Sequence, residues 1–236
     1  MDDFWKTYWT GYGPSEATCE DDLFKQVAHT VSKQPIPHEL VFRMLEHIVT
    51  RLKLSRADHL LDFCCGNGLF SYELAAHVTQ VVGIDFVPRN IHTAQLKKSR
   101  PNTTYVVGDV TAPLVGLVGD ACLPNKFLMH YSLAYFTPSQ FSCILGNIVE
   151  HLGGRRFHFL LTGIPNCDLK WNFYDSPDRR ARHLENEKSA KNTNDGLGRW
   201  WLASEIEQCC RQRGLRVLIE NQPPELSNYR MDAIVQ

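Results

Sequence analysis

His59-Leu60-Leu61-Asp62-Phe63-Cys64-Cys65-Gly66-Asn67-Gly68 reads as a buried strand running into a glycine turn, and Leu69 to Ala76 after it has helical periodicity. A second apolar strand, Gln80-Val81-Val82-Gly83-Ile84-Asp85, follows and ends in a carboxylate. Strand, glycine turn, helix, strand and acid form the first unit of a nucleotide-binding α/β sheet. Glycines let backbone approach a ligand closely, and an acid at that strand end can accept from both hydroxyls of a ribose. The unit predicts an adenosyl ligand.

A dinucleotide fingerprint asks for a third small residue three places after the second glycine, and Ser71 keeps that reading open. The wider context adds to the choice. Asp62 ends the first strand, where it can orient the turn or reach a cationic ligand. A third strand, Thr103 to Val107, runs into Gly108-Asp109-Val110 and repeats the pattern of an acid at a carboxyl strand end. Open α/β sheets bind their ligands at that edge.

These residues resemble the class I S-adenosylmethionine-dependent methyltransferases. The first motif of that family, apolar-apolar-Asp-apolar-Gly-Cys-Gly-x-Gly, is matched by Leu60 to Gly68, except that Cys64 stands where the family has its first glycine. The resemblance runs from about residue 58 to the C-terminus. It implies a Rossmann-like seven-stranded sheet, mostly parallel with an antiparallel last strand, and helices on both faces. It implies also that Gly66 and Gly68 wrap the methionine end, with Asp62 and Cys64 in the same turn. Asp85 would hold the ribose diol, Phe86 would lie against the adenine, and Asp109 would accept from its amine beside Val110. Cysteine at position 64 is expected to fit through a negative φ. The Gln26-Val27 segment and the glycine turn look similar to bacterial members that methylate sugars and other small metabolites.

Composition frames that reading. A chain of 236 residues, 43% hydrophobic, supports one α/β domain over 1–236. Within it, residues 1–56 are expected to form an aromatic cap or lid, and 57–236 the core with an insertion at 165–198. A formal charge of −1 argues against nucleic acid or an anionic membrane as partner. No apolar run reaches the length of a membrane span, and the acidic, aromatic N-terminus does not read as a signal peptide. The eight cysteines form no Cys-x-x-Cys pair, so no metal site is expected and reduced thiols in the cytoplasm are. A monomer or homodimer is anticipated.

Further along, Asp21–Ser32 and His38–Leu52 read as helices separated by Pro35 and Pro37. Pro88–Ser99 is a helix opened by proline, Lys126–His130 a fourth strand, Ser139–Leu152 a helix stopped by Gly153-Gly154, and Arg156–Leu161 a fifth strand. Residues 165–198 lack an apolar period and read as an insertion or lid. Trp200–Arg213 is a helix, and Leu215–Glu220 and Tyr229–Val235 close the sheet as an antiparallel pair.

Methyl transfer from a sulfonium needs positioning, exclusion of water and at most one base. His130 ends the fourth strand and is the candidate base for a hydroxyl acceptor, or else a cofactor contact. Tyr131 and Tyr135 follow it as candidate acceptor contacts, joined by Tyr8 and Tyr12 from the aromatic N-terminus and by Trp171. The expected function is methylation of a small molecule from S-adenosylmethionine, with oxygen of a sugar or secondary metabolite first and nitrogen second. A nicotinamide-dependent oxidoreductase explains the first turn and Asp85 but not Gly108-Asp109-Val110. A scaffold that binds cofactor without turnover is the third reading.

Overall fold

The computed structural model describes residues 3–119, 122–188 and 197–236. Its elements are α1 (Asp3–Gly11), α2 (Glu20–Gln26), β1 (Thr30–Val31), β2 (Gln34–Pro35), α3 (His38–Leu52), β3 (His59–Phe63), α4 (Leu69–Leu74), β4 (Gln80–Asp85) and α5 (Pro88–Lys97). They continue with β5 (Thr103–Val107), α6 (Leu114–Val118), β6 (Lys126–His130), α7 (Pro138–Leu152), β7 (His158–Pro165), α8 (Lys170–Phe173), α9 (Pro177–Lys188), α10 (Ala203–Gln212), β8 (Val217–Asn221) and β9 (Arg230–Val235).

Seven strands form one sheet in the order β5-β4-β3-β6-β7-β9-β8. The first five are parallel, and β9 lies antiparallel between β7 and β8. The sheet is the expected seven-stranded one, mostly parallel with its last strand antiparallel. Side chains alternate across it as strand geometry demands. Leu61, Phe63, Phe127, Met129, Phe159 and Leu161 face one way, into a core with Phe141, Ile144, Leu145 and Ile148 of α7. Leu60, Leu128 and Leu160 face the other, against Met44, Ile48 and Leu52 of α3 and Phe70 and Leu74 of α4. Both faces are covered, which is why the central strands read as continuous apolar runs. The chain leaves β3 toward β4 and β5, then returns to place β6 on the other side. That reversal opens a crevice at the carboxyl ends of β3 and β6.

Two expectations need correction. The helix expected over Asp21–Ser32 stops at Gln26, and the chain turns into the β1–β2 hairpin. Ser32 and Lys33 both take positive φ, 51° and 65°, as a two-residue hairpin turn requires. The strand expected at Arg156–Leu161 runs instead over His158–Pro165, with a register shift between Leu161 and Ile164. Gly163 sits in that bulge at φ +76°, and a Cβ there would run into the Tyr131 ring. Part of the 165–198 insertion forms α8 and α9, while 189–196 lies outside the described residues.

Candidate active site

One cavity of about 840 Å³ opens at the carboxyl edge of the sheet. It falls in the upper part of the range of small-molecule sites, roughly 300–1,000 Å³. Its wall includes Asp62, Cys64 and Gly66 of the glycine turn, then Asp85 and Phe86 after β4. His130, Tyr131 and Tyr135 after β6 continue it, with Tyr8 and Tyr12 of the N-terminal segment. Asp109, Val110, Gly68 and Trp171 do not line it.

Asp85 is 6% exposed. Its Oδ2 accepts from the Gly66 amide at 3.0 Å and its Oδ1 from the Val87 amide at 2.9 Å. Each oxygen keeps a lone pair for a further donor, which suits two vicinal ribose hydroxyls. Burial raises its pKa to about 6, although the Val87 and Gly66 amides work to lower it. Asp62 is more enclosed, at 2% exposed, and its carboxylate accepts from Ser71 Oγ at 2.5 Å. Burial lifts its pKa to about 7, against the Ser71 hydrogen bond and with the help of Asp85. Asp62 therefore anchors the helix after the turn and carries partial charge beneath the cavity. An adenosyl group with a positive centre fits this end of the site.

Asp109 has other partners. Its Oδ1 accepts from the Thr111 amide and hydroxyl at 3.0 and 2.7 Å, and Lys6 Nζ lies 2.9 Å from Oδ2. Burial opposes ionisation, but these bonds prevail and bring the pKa down to about 2. Val110 is a core residue. Gly68 faces inward, since a Cβ there would stand 2.7 Å from Tyr105 Oη, so its role is helix–sheet packing. Trp171 stands 41% exposed, and the neighbouring Phe173 takes the place on the wall.

Cys64 overturns the expectation of a negative φ: it lies at +57°, in the left-handed region. The position is one that asks for glycine, and cysteine occupies it under strain. Burial, then Asp85 and Asp62, push the thiol well above its ordinary pKa, so it remains protonated and is no nucleophile. Cys64→Gly should relieve the backbone, offset by added freedom of the unfolded chain, and leave stability within about 1 kcal/mol of the parent. Cys64→Val should be markedly less stable, because branching at Cβ is poorly tolerated at this φ. Urea denaturation of the three proteins tests the account; a valine variant as stable as the parent contradicts it.

His130 lies between the rings of Phe70, at 4.2 Å centroid to centroid, Tyr131 at 4.5 Å and His29 at 5.5 Å. Both of its ring nitrogens are shut from solvent without a hydrogen-bond partner among the described residues. Burial, followed by His29 and Arg230, holds its pKa well below 6.5, so the imidazole is neutral at neutral pH. Tyr131 follows at a positive φ of 54°, a strained backbone of the kind that gathers at functional sites.

The aromatic N-terminus is both staple and wall. Trp5 is buried in the core and packs on Tyr135 at 4.6 Å, while Trp9 meets Tyr135 at 5.0 Å. Removing the first twelve residues should therefore lower the melting temperature along with turnover. Tyr12→Ala removes a wall ring outside that core and should slow turnover with little change in melting. Equal loss of melting temperature in both proteins would show the segment to be a staple alone.

Trp9, expected as a lid residue beside Tyr8 and Tyr12, lies on the wall, and residues missed in the sequence complete it: His29 in the hairpin segment, Asn90 and, from β9, Arg230. A charged residue opening an apolar strand and a glycine inside another were the available signals for Arg230 and its bulge.

The sheet order and the crevice at its carboxyl edge are those of the Rossmann-like methyltransferase fold. Residues 60–153 match the family described as methyltransferase domain. An uncharacterized methyltransferase of Schizosaccharomyces pombe is 42% identical over 53 residues, 22% of this chain and 20% of that one. The ubiquinone biosynthesis O-methyltransferase of Cereibacter sphaeroides is 35% identical over 83 residues, 33% of this chain and 34% of its own. The chain thus spans about a fifth to a third of these relatives. Magnesium protoporphyrin IX methyltransferase from Synechocystis PCC 6803, solved with bound SAH, superposes with a TM-score of 0.57 at 14% identity. The overlap covers 99% of this chain and 92% of that one. An Anabaena variabilis SAM-dependent methyltransferase gives 0.57 at 17% identity, over 96% and 98%. These likenesses establish the fold. No described helix is long and apolar enough to cross a membrane.

Proposed function

We propose that this protein is an S-adenosylmethionine-dependent methyltransferase acting on a small molecule, with a hydroxyl oxygen as the methylated atom. The observation that carries this reading is the continuity of one cavity from Asp85 and Gly66 to His130. Bound S-adenosylmethionine supplies an electrophilic methyl group and departs as a neutral thioether. Asp85 then holds the ribose, and Asp62 places negative potential under the positive centre. His130, neutral and with both nitrogens unpartnered among the described residues, accepts the proton of an acceptor hydroxyl. Tyr8, Trp9 and Tyr12 exclude water and offer ring faces to the cation. The rings along the wall suit an acceptor with a ring of its own, a sugar or another secondary metabolite. The ubiquinone biosynthesis relative, named as an O-methyltransferase, supports oxygen.

Nitrogen is the second reading, favoured by the depressed basicity of His130, since an amine methylated in its free form asks for no strong base. Calorimetry with S-adenosylmethionine, S-adenosylhomocysteine and NAD tests the cofactor. Affinity for the first two and none for NAD is expected, and preference for NAD returns the oxidoreductase reading. Turnover on a panel of hydroxyl and amine acceptors separates an enzyme from a scaffold.

A further inference from the structure

The charges on the cavity wall are segregated. Asp62 and Asp85 stand at the β3–β4 end, and the guanidiniums on the wall, Arg179 and Arg230, belong to the opposite side. Arg179 is committed: its Nη1 lies 2.9 Å from Asp175 Oδ1, and its guanidinium sits over the Phe173 ring at 4.4 Å. Arg230 differs. It is 8% exposed, donates through Nη1 to the Gly163 carbonyl, and stacks over Tyr131 at 4.4 Å and Tyr229 at 5.1 Å. Among the described residues no carboxylate forms an ion pair with it. Asp232, two residues along β9, already accepts from Gly163 N at 3.0 Å and Gln222 Nε2 at 2.9 Å, and faces His47 Nε2 at 2.5 Å. A nearly buried guanidinium with one hydrogen bond has donors to spare, and leaving such a charge unpaired is costly. It has an influence on its neighbours: after burial, its charge helps hold His29 down to about 4 and His130 well below its ordinary value. Those imidazoles are thus neutral and do not supply the missing anion.

We propose that Arg230 is the acceptor-recognition residue, and that the acceptor carries a planar or tetrahedral oxyanion, a carboxylate or a phosphate, on a ring-bearing body. The guanidinium fork is shaped to meet such a group with two parallel hydrogen bonds. Tyr131 and Tyr229 hold the fork from its faces, and the bulge at Gly163 leaves room for the Tyr131 ring and presents the carbonyl that fixes Nη1. His130 and His29, each with one N–H and one lone pair, lie beside the bound group. This assignment rests on the methyltransferase reading of the same cavity.

The test is calorimetry on the full chain saturated with S-adenosylhomocysteine, titrated with benzoate, phenyl phosphate and benzamide. At least one anion should bind tenfold or more tightly than the neutral amide. Which of the two binds better identifies the oxyanion. Arg230→Met should erase that preference while S-adenosylhomocysteine still binds, and Arg230→Lys should keep part of it. Equal binding of anion and amide to the parent, no binding of either anion, or a preference that survives in Arg230→Met overturns the proposal. If Arg230→Met loses its native circular dichroism, the anion–amide comparison in the parent and in Arg230→Lys decides. Failure of the parent to bind S-adenosylhomocysteine is a separate result, and strikes the methyltransferase reading itself.

Discussion

Asp85→Ala should weaken S-adenosylmethionine binding by about 1–3 kcal/mol, a loss of roughly 5- to 150-fold. The charged acceptor proposed for two ribose hydroxyls disappears. The same change leaves the Gly66 and Val87 amides without their partner, so the variant should also melt earlier. Asp85→Asn separates the effects, since an amide oxygen still serves one of those amides without the charge. A second signature follows from protonation. The Asp85 pKa stands at about 6 in the folded protein, above the ordinary carboxylate value. Hydroxyl donors bind the ionised form, so cofactor binding expels a proton near that pH. Affinity should rise from pH 5 to about 7 and then level off. Asp62, with a pKa of about 7, adds in the same direction through the positive centre. Dissociation constants across pH 5–8 check this, and a flat profile, or native affinity in a folded Asp85→Ala protein, removes Asp85 from the cofactor site.

His130→Ala should lower turnover on a hydroxyl acceptor by about 10²-fold while cofactor affinity changes little. A positioned base contributes ~10²–10⁴-fold, and the lower end applies because a depressed pKa makes the imidazole a weaker proton acceptor. The sign of the pH effect follows from the same shift. The base works in its neutral form, and burial, His29 and Arg230 keep it neutral well below pH 6.5. The parent rate attributable to His130 is therefore flat above pH 6.5 and falls only on the acid side. An amine acceptor gives a different profile, a rate that climbs with the amine's own deprotonation and responds to His130→Ala mainly through KM. Turnover against pH for both proteins, with an acceptor identified from the panel, distinguishes the cases. A loss below about threefold with an unchanged profile ends the role of His130 as base.

The legible part of this protein is the part whose information is local. Largely apolar runs of five or six residues, β4 ending in Asp85, β6 ending in His130 and β3 with Asp62 one residue before its end, marked three parallel strands and the carboxyl edge where the cavity opens, because strand period and burial leave their trace in neighbouring residues. Less legible was the backbone at Cys64. Its side chain does not announce a left-handed conformation; the need for one comes from the turn beneath, where Cys65 N donates to Ile84 O and Gly66 N reaches Asp85. Asp109 shows what strand-end position alone does not convey. Its strand-end position matched the ligand pattern, yet Lys6, more than a hundred residues earlier in the chain, occupies its carboxylate.

From the sequence alone came the parallel βαβ core, the antiparallel closing pair and the buried acid at the end of β4, Asp85, which lines the cavity. Each is a matter of periodicity, turn chemistry and spacing. Tertiary structure alone decided what stands opposite that acid. Because β9 runs antiparallel, its first residue, Arg230, pairs with Pro165 at the carboxyl end of β7 and so reaches the ligand edge from the far end of the chain. The β1–β2 hairpin brings His29 to the same place, within ring contact of His130. Residues at 29, 130 and 230 share no local pattern; strand direction and packing bring them together, and no window of sequence carries either.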